Sequence, residues 1–258
     1  MAGNAGMARG DELAGKVALV TGGARNIGRA IARSLAAGGA AVMVNAISSR
    51  DAAQETADMI EKAGGRAAVF LADVTDVAAV RSMVEDTVGR FGRLDILVNN
   101  AAVRRETPFE EMTVEEWRRV NAIVLDGAFI CTQACLPHLK RGGGGAVVNI
   151  GGLTGHKGAL ARLHVVTSKG GLAAMTKGLA LDLAPHNITV NCVVPGTVDT
   201  VRGSSSAPER PDYRRSVPPV GRRGEPEEVA AVVRMLCGPD FRYITGQSIH
   251  VNGGGFMP

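Results

Sequence analysis

The residues whose types and spacing promise chemistry lie near the start of the chain. The β-branched run at 16–21, KVALVT, passes directly into Thr21-Gly22-Gly23-Ala24-Arg25-Asn26-Ile27-Gly28 and then into an apolar helical pattern, Ala30-Ile31-Ala32 to Leu35. Glycine at a strand end permits a tight turn, and glycine at a helix start lets the helix approach the sheet. The free N–H groups at that helix start bind pyrophosphate. Strand, glycine turn and helix in this order predict a dinucleotide site in the first βαβ unit. About twenty residues on, an NAD site places a carboxylate for the ribose hydroxyl. Here the second apolar run ends Val44-Asn45-Ala46, and the first acid after it is Asp51. With Asn45 in place of an acid and Arg25 inside the turn, a 2′-phosphate meets a cation and no repulsion, which favours NADP(H) over NAD(H). The plainer reading of Arg25 is a solvated turn residue.

Other chemistries are sparsely provisioned. Tyr213 and Tyr243 are the two tyrosines, so a mechanism that needs a phenol must use one of them. Tyr213 falls in a segment that could reach a site, whereas Tyr243 reads as packed before the last strand. The four cysteines, Cys131, Cys135, Cys192 and Cys237, have neither CxxC spacing nor a histidine cluster, so free buried thiols are expected, with no metal and no disulfide.

The elements that must position these groups alternate along the whole chain. Strands are expected at 16–21, 40–45, 67–72, 95–100, 145–150, 188–194 and 247–251, with helices near 27–38, 50–63, 76–91, 113–140, 161–183 and 225–237. This is the pattern of βαβ units around a parallel sheet, an α/β fold of one domain at 13–258 behind a disordered tail at 1–12. The last helix opens Glu225-Pro226-Glu227-Glu228, where proline in the first turn and carboxylates at the positive end of the dipole both favour a start. The stretch 197–224 has four prolines and Ser204-Ser205-Ser206 without a period, and reads as a mobile loop over the substrate side.

With 258 residues and 26.7 kDa, the chain is long enough to bury a full core. Its net charge of +4 is spread without basic runs, so neither nucleic acid nor acidic lipid is indicated. No signal core stands at the start and no stretch reaches about 18 uncharged apolar residues, so a cytoplasmic protein without membrane contact is expected.

The glycine turn at 21–28, Asp73-Val74 after the third strand, Asn99-Asn100-Ala101-Ala102 after the fourth, Pro195-Gly196 after the sixth and Val251-Asn252-Gly253-Gly254 at the end resemble, in order, the short-chain dehydrogenase/reductase family. The resemblance runs from about residue 13 to 256, and VNAISS and GRRGEPEEVA are most similar to its 3-oxoacyl-carrier-protein reductase type. It implies a Rossmann-type doubly wound fold with a seven-stranded parallel sheet flanked by helices, and a homo-oligomer, dimer or tetramer, paired through the helices near 113–140 and 161–183. It implies that Asp73 and Val74 hold the adenine, that Asn99 and Ala101 line the cofactor and that Pro195, Gly196 and Val198 face the nicotinamide. Gly22, Ile27 and Gly28 fall in its phosphate turn, whose middle glycine is here Asn26. Asparagine tolerates the left-handed backbone, so the turn is expected to survive.

The family's catalytic set is Ser, Tyr, Lys and Asn, and the run Ser168-Lys169-Gly170-Gly171-Leu172 aligns Lys169 with its lysine. Four residues earlier stands Val165 in place of tyrosine, thirteen before that Gly152 in place of serine, and Val124 occupies the asparagine position. A positioned general acid contributes about 10²–10⁴ in rate, so the usual route is closed. His164 and Thr154 are the substitutes weighed here, with Lys169 retained in the catalytic and cofactor sites; His156, behind Thr154, is a further candidate. Three functions follow. One is an NADP(H)-dependent oxidoreductase of a small carbonyl or alcohol with another proton donor. The second is a silent cofactor-binding subunit beside an active homologue, and the third is non-redox chemistry in the same pocket.

Overall fold

The computed structural model describes residues 10–201 and 217–258. Its strands are β1 (Val17–Val20), β2 (Ala41–Ala46), β3 (Arg66–Leu71), β4 (Ile96–Asn99), β5 (Gly145–Ile150), β6 (Ile188–Pro195) and β7 (Ser248–Val251). They form one sheet of seven in the order β3-β2-β1-β4-β5-β6-β7, every neighbouring pair parallel. The helices are α1 (Asn26–Ala37), α2 (Arg50–Lys62), α3 (Val77–Phe91), α4 (Val114–Asn121), α5 (Gly127–Arg141), the single turn α6 (Thr154–Lys157), α7 (Leu163–Leu183) and α8 (Pro226–Cys237).

The strands are apolar on both faces because both faces are covered. In β1, Ala18 and Val20 join the core with Ile31, Leu35, Val233 and Leu236 of α1 and α8, while Val17 and Leu19 join that of Met83, Val84, Cys131 and Leu139 of α3 and α5. The four cysteines are buried and free, in accord with their spacing. α8 starts where the acid-proline-acid opening suggested, and a capping box closes it, the Glu225 N–H donating to the Glu228 carboxylate at 2.8 Å.

The expected helix at 113–140 is α4 and α5 joined by a π-helical segment, Ala122–Asp126. This combined helix, Val114–Arg141, is long and apolar enough to cross a membrane by length and composition. It instead packs on α3, α7 and β4 as part of the domain, and its first turns carry Glu115, Glu116, Arg118 and Arg119.

Two expectations change. Tyr243 is fully exposed, at 103%: the turn before β7 sends the neighbouring Ile244 against the core in its place. The expected tail is seated over its last residues. The Gly10 N–H donates to Ala37 O at 2.9 Å, Glu12 pairs with Arg234, and Leu13 is buried. Residues 1–9 and 202–216, the latter including most of the expected loop and Tyr213, lie outside the described residues.

Because β1 lies between β2 and β4, the chain leaves the sheet in opposite directions on either side of it. That topological switch opens a crevice beyond the carboxyl ends of the strands.

Candidate functional site

The glycine turn at 21–28 is built by backbone conformation and close approach. Gly22 and Asn26 hold positive φ, 61° and 51°, and a Cβ on Gly28 would stand 2.2 Å from Gly22 O. The Asn100 amide clamps the same turn, donating to Thr21 O at 2.9 Å and Gly22 O at 3.0 Å, and the Ala101 N–H donates to Thr21 Oγ1 at 3.0 Å. Asn45 braces it from β2: its Oδ1 accepts from the Gly22 N–H at 3.3 Å while its Nδ2 donates to Ala72 O at 3.0 Å. A carboxylate could accept the first bond but could not donate the second. The Asn26 side chain leaves the turn altogether. Its Nδ2 donates to Val201 O at 2.8 Å and its Oδ1 accepts from the Val201 N–H at 2.9 Å.

Along this turn runs a cavity of about 720 Å³ lined by Gly22, Arg25, Asn45, Asp73, Val74 and Ala101, together with Ser48, Ser49, Arg105 and Arg119. Its size falls in the range of small-molecule sites. Asp73 also caps its own turn, Oδ1 accepting from the Thr75 N–H at 2.9 Å and hydroxyl at 2.8 Å. The serines begin two residues past the end of β2, near the position read for cofactor choice, and their hydroxyls are the signal that the sequence offered there. Asn99 departs from the expectation. It is buried under the crevice, its Nδ2 donating to Asn149 Oδ1 at 2.9 Å and Thr132 Oγ1 at 3.2 Å, so it ties β4 to β5 and α5; its neighbour Asn100 lines the cleft.

A second cavity, about 480 Å³, continues the crevice between Ile27, Gly152, Thr154, Val165, Lys169, Pro195, Gly196 and Val198. Lys169 is buried, and its Nζ donates to Ile150 O at 2.5 Å. Burial pushes its pKa down to about 8, partly opposed by the nearby Cys192. Thr154 brings a hydroxyl into the same cavity from the first residue of α6, the helical turn after β5. Val165 lines the cavity without a proton to give, and a Cβ at Gly152 would meet nothing nearer than Lys169 Cγ at 3.6 Å and Thr154 Oγ1 at 3.7 Å. Val124 is buried with Ala128 and Leu172.

His164 points elsewhere. It is fully buried, its Nδ1 accepts from the Val165 N–H at 2.9 Å, and its Nε2 lies 3.1 Å from Glu116 Oε1. With Nδ1 accepting, the proton sits on Nε2 and is given to Glu116, so the ring anchors α7 to α4 and offers nothing to the cavity. His156 also turns away, its ring 4.7 Å from that of His250.

The turn, the close-approaching Gly28 and the two joined cavities fit an elongated dinucleotide lying across the switch point. The comparisons with known proteins agree. Residues 22–255 match the family described as Enoyl-(Acyl carrier protein) reductase. A 3-oxoacyl-(acyl-carrier-protein) reductase FabG of Aquifex aeolicus is 38% identical over 246 residues, 95% of this chain and 99% of that protein. An uncharacterized oxidoreductase of Methylorubrum extorquens is 40% identical over 248 residues, covering 94% and 98%. Among solved structures, a dehydrogenase/reductase from Sinorhizobium meliloti superposes with a TM-score of 0.89 at 38% identity, covering 95% of this chain and 96% of that one. A short chain dehydrogenase from Burkholderia cenocepacia in complex with NADP gives 0.87 at 36%, covering 95% and 99%.

Proposed function

The chain belongs to the short-chain dehydrogenase/reductase family, an oxidoreductase family, and from that premise we propose that it is an NADP(H)-dependent oxidoreductase of a small carbonyl compound or secondary alcohol whose proton comes from Lys169. The observation that carries this reading is that Lys169 is buried in the same cavity as the Thr154 hydroxyl, beside a Val165 that cannot donate. The nicotinamide, when bound, supplies or accepts the hydride. The remaining work falls to the chain. Gly22, Ile27 and Gly28 bring backbone against the pyrophosphate, and Arg25 with Ser48 and Ser49 receives a 2′-phosphate. Asp73, Val74 and Ala101 border the adenosine half, and Pro195, Gly196 and Val198 wall the nicotinamide half. The Lys169 ammonium passes a proton to the substrate oxygen as it is reduced, while the Thr154 hydroxyl donates a hydrogen bond to the same oxygen. A homo-oligomer, as the resemblance implies, in the cytoplasm is the setting we propose.

The test is a fluorescence titration with NADPH and NADH followed by a carbonyl panel in the same cuvette. The reading requires NADPH to bind more tightly than NADH, and NADPH to be consumed on at least one carbonyl. Arg25→Ala should weaken NADPH about tenfold or more and leave NADH nearly unchanged, since an Arg–phosphate pair is a strong charge-assisted contact. The joint presence of Gly152, Val165 and Val124 favours a second reading, a cofactor-binding subunit without turnover. Binding without consumption on any carbonyl would select it.

A further inference from the structure

Five side chains that line the 480 Å³ cavity are cationic, Arg104, Arg105, Lys157, Arg162 and Lys169, and one, Glu106, is acidic. The chain as a whole carries 29 cations against 25 carboxylates, so the excess belongs to this cavity and not to composition. Glu106 is itself in an ion pair with Arg162 and can offset only part of it. The charges also differ in depth: Arg105 and Lys157 are exposed, while Lys169 is buried. Low-dielectric walls between like charges focus their field and raise the local concentration of an anion.

We infer that the substrate is an anionic carbonyl compound whose carboxylate or phosphate is received by the exposed Arg105 and Lys157 while its carbonyl reaches Lys169. The inference rests on the proposed function only in taking this cavity as the substrate side. A guanidinium donates two parallel hydrogen bonds to either anion, so the shared chemistry is a compact oxyanion at a distance from the reacting carbon.

The test reads binding, so that it does not depend on turnover. Calorimetric titration of the NADPH-saturated protein uses 4-oxopentanoate, its amide, and 3-oxobutyl phosphate at about 0.02 M and about 0.5 M salt. At low salt the acid or the phosphate binds about tenfold or more tightly than the amide, and the gap narrows at high salt. Whichever anion binds more tightly identifies the head group. Lys157→Gln and Arg105→Gln each reduce the gap several-fold and leave the amide affinity unchanged, with NADPH affinity measured in parallel because Arg105 borders both cavities. Equal affinity for acid and amide, or a gap that survives both substitutions, overturns the inference. Discrimination without NADPH consumption would overturn the proposed function and leave the anionic specificity standing, and consumption of neutral ketones without discrimination would do the reverse.

Discussion

A serine at residue 152 would fit as the chain stands, because the nearest atoms to a Cβ there are 3.6 and 3.7 Å away and belong partly to the flexible Lys169 side chain. Gly152→Ser combined with Val165→Tyr should therefore return the family's hydroxyls to the cavity. A positioned acid contributes about 10²–10⁴ in rate and an oxyanion donor about 10²–10³, so steady-state kinetics of the double variant should show at least a hundredfold rise in kcat. An unchanged kcat would mean that proton transfer is not what limits this site. Lys169 gives the complementary test. If Lys169 is the proton donor as proposed, reduction needs its ammonium, and its pKa is lowered to about 8, so the reduction rate should be full below that pH and fall as pH rises through it. Lys169→Met should remove both the activity and this inflection, as a pH profile of wild type and variant would show. Arg25 was read from its place in a strand-turn-helix unit and Asp73, Val74 and Lys169 from the family resemblance, and all four line the two cavities. His164 was misread because its two partners, the Val165 N–H and Glu116, come from a helix start and from a residue 48 positions away that no local pattern connects.

The helix α1 depends on one missing methyl. Gly28→Ala would drive a Cβ into Gly22 O, which lies 2.2 Å from that point, and either the turn or the helix must move. Overpacking of this kind costs about 1–3 kcal/mol, so thermal denaturation should show a lower Tm and fluorescence titration a loss of NADPH affinity of tenfold or more. The order of strands and helices was readable from periodicity, since buried parallel strands are continuous apolar runs separated by amphipathic helices. The π-helical segment at 122–126 was not. The sequence there, AIVLD, reads equally well as ordinary helix.

At the scale of the molecule, Phe129 on α5 and Leu181 on α7 are exposed at 50% and 80%. Large apolar side chains left outside on two long helices suit a second copy of the chain. Light scattering should give two or four times the 26.7 kDa of one chain, and Phe129→Glu should shift it to a smaller species. A monomeric mass for the wild type would remove the oligomer from the proposal.

Asn26 spans the molecule differently. Where a glycine would end at its backbone, this side chain grips Val201 by both its N–H and its carbonyl. The glycine turn and the segment that follows Pro195-Gly196 are thereby tied to each other, and neither can tilt without drawing the other. Occupancy at one end of the crevice should be felt as stiffness at the other: adding NADPH slows amide exchange at Val201, and Asn26→Gly uncouples the two.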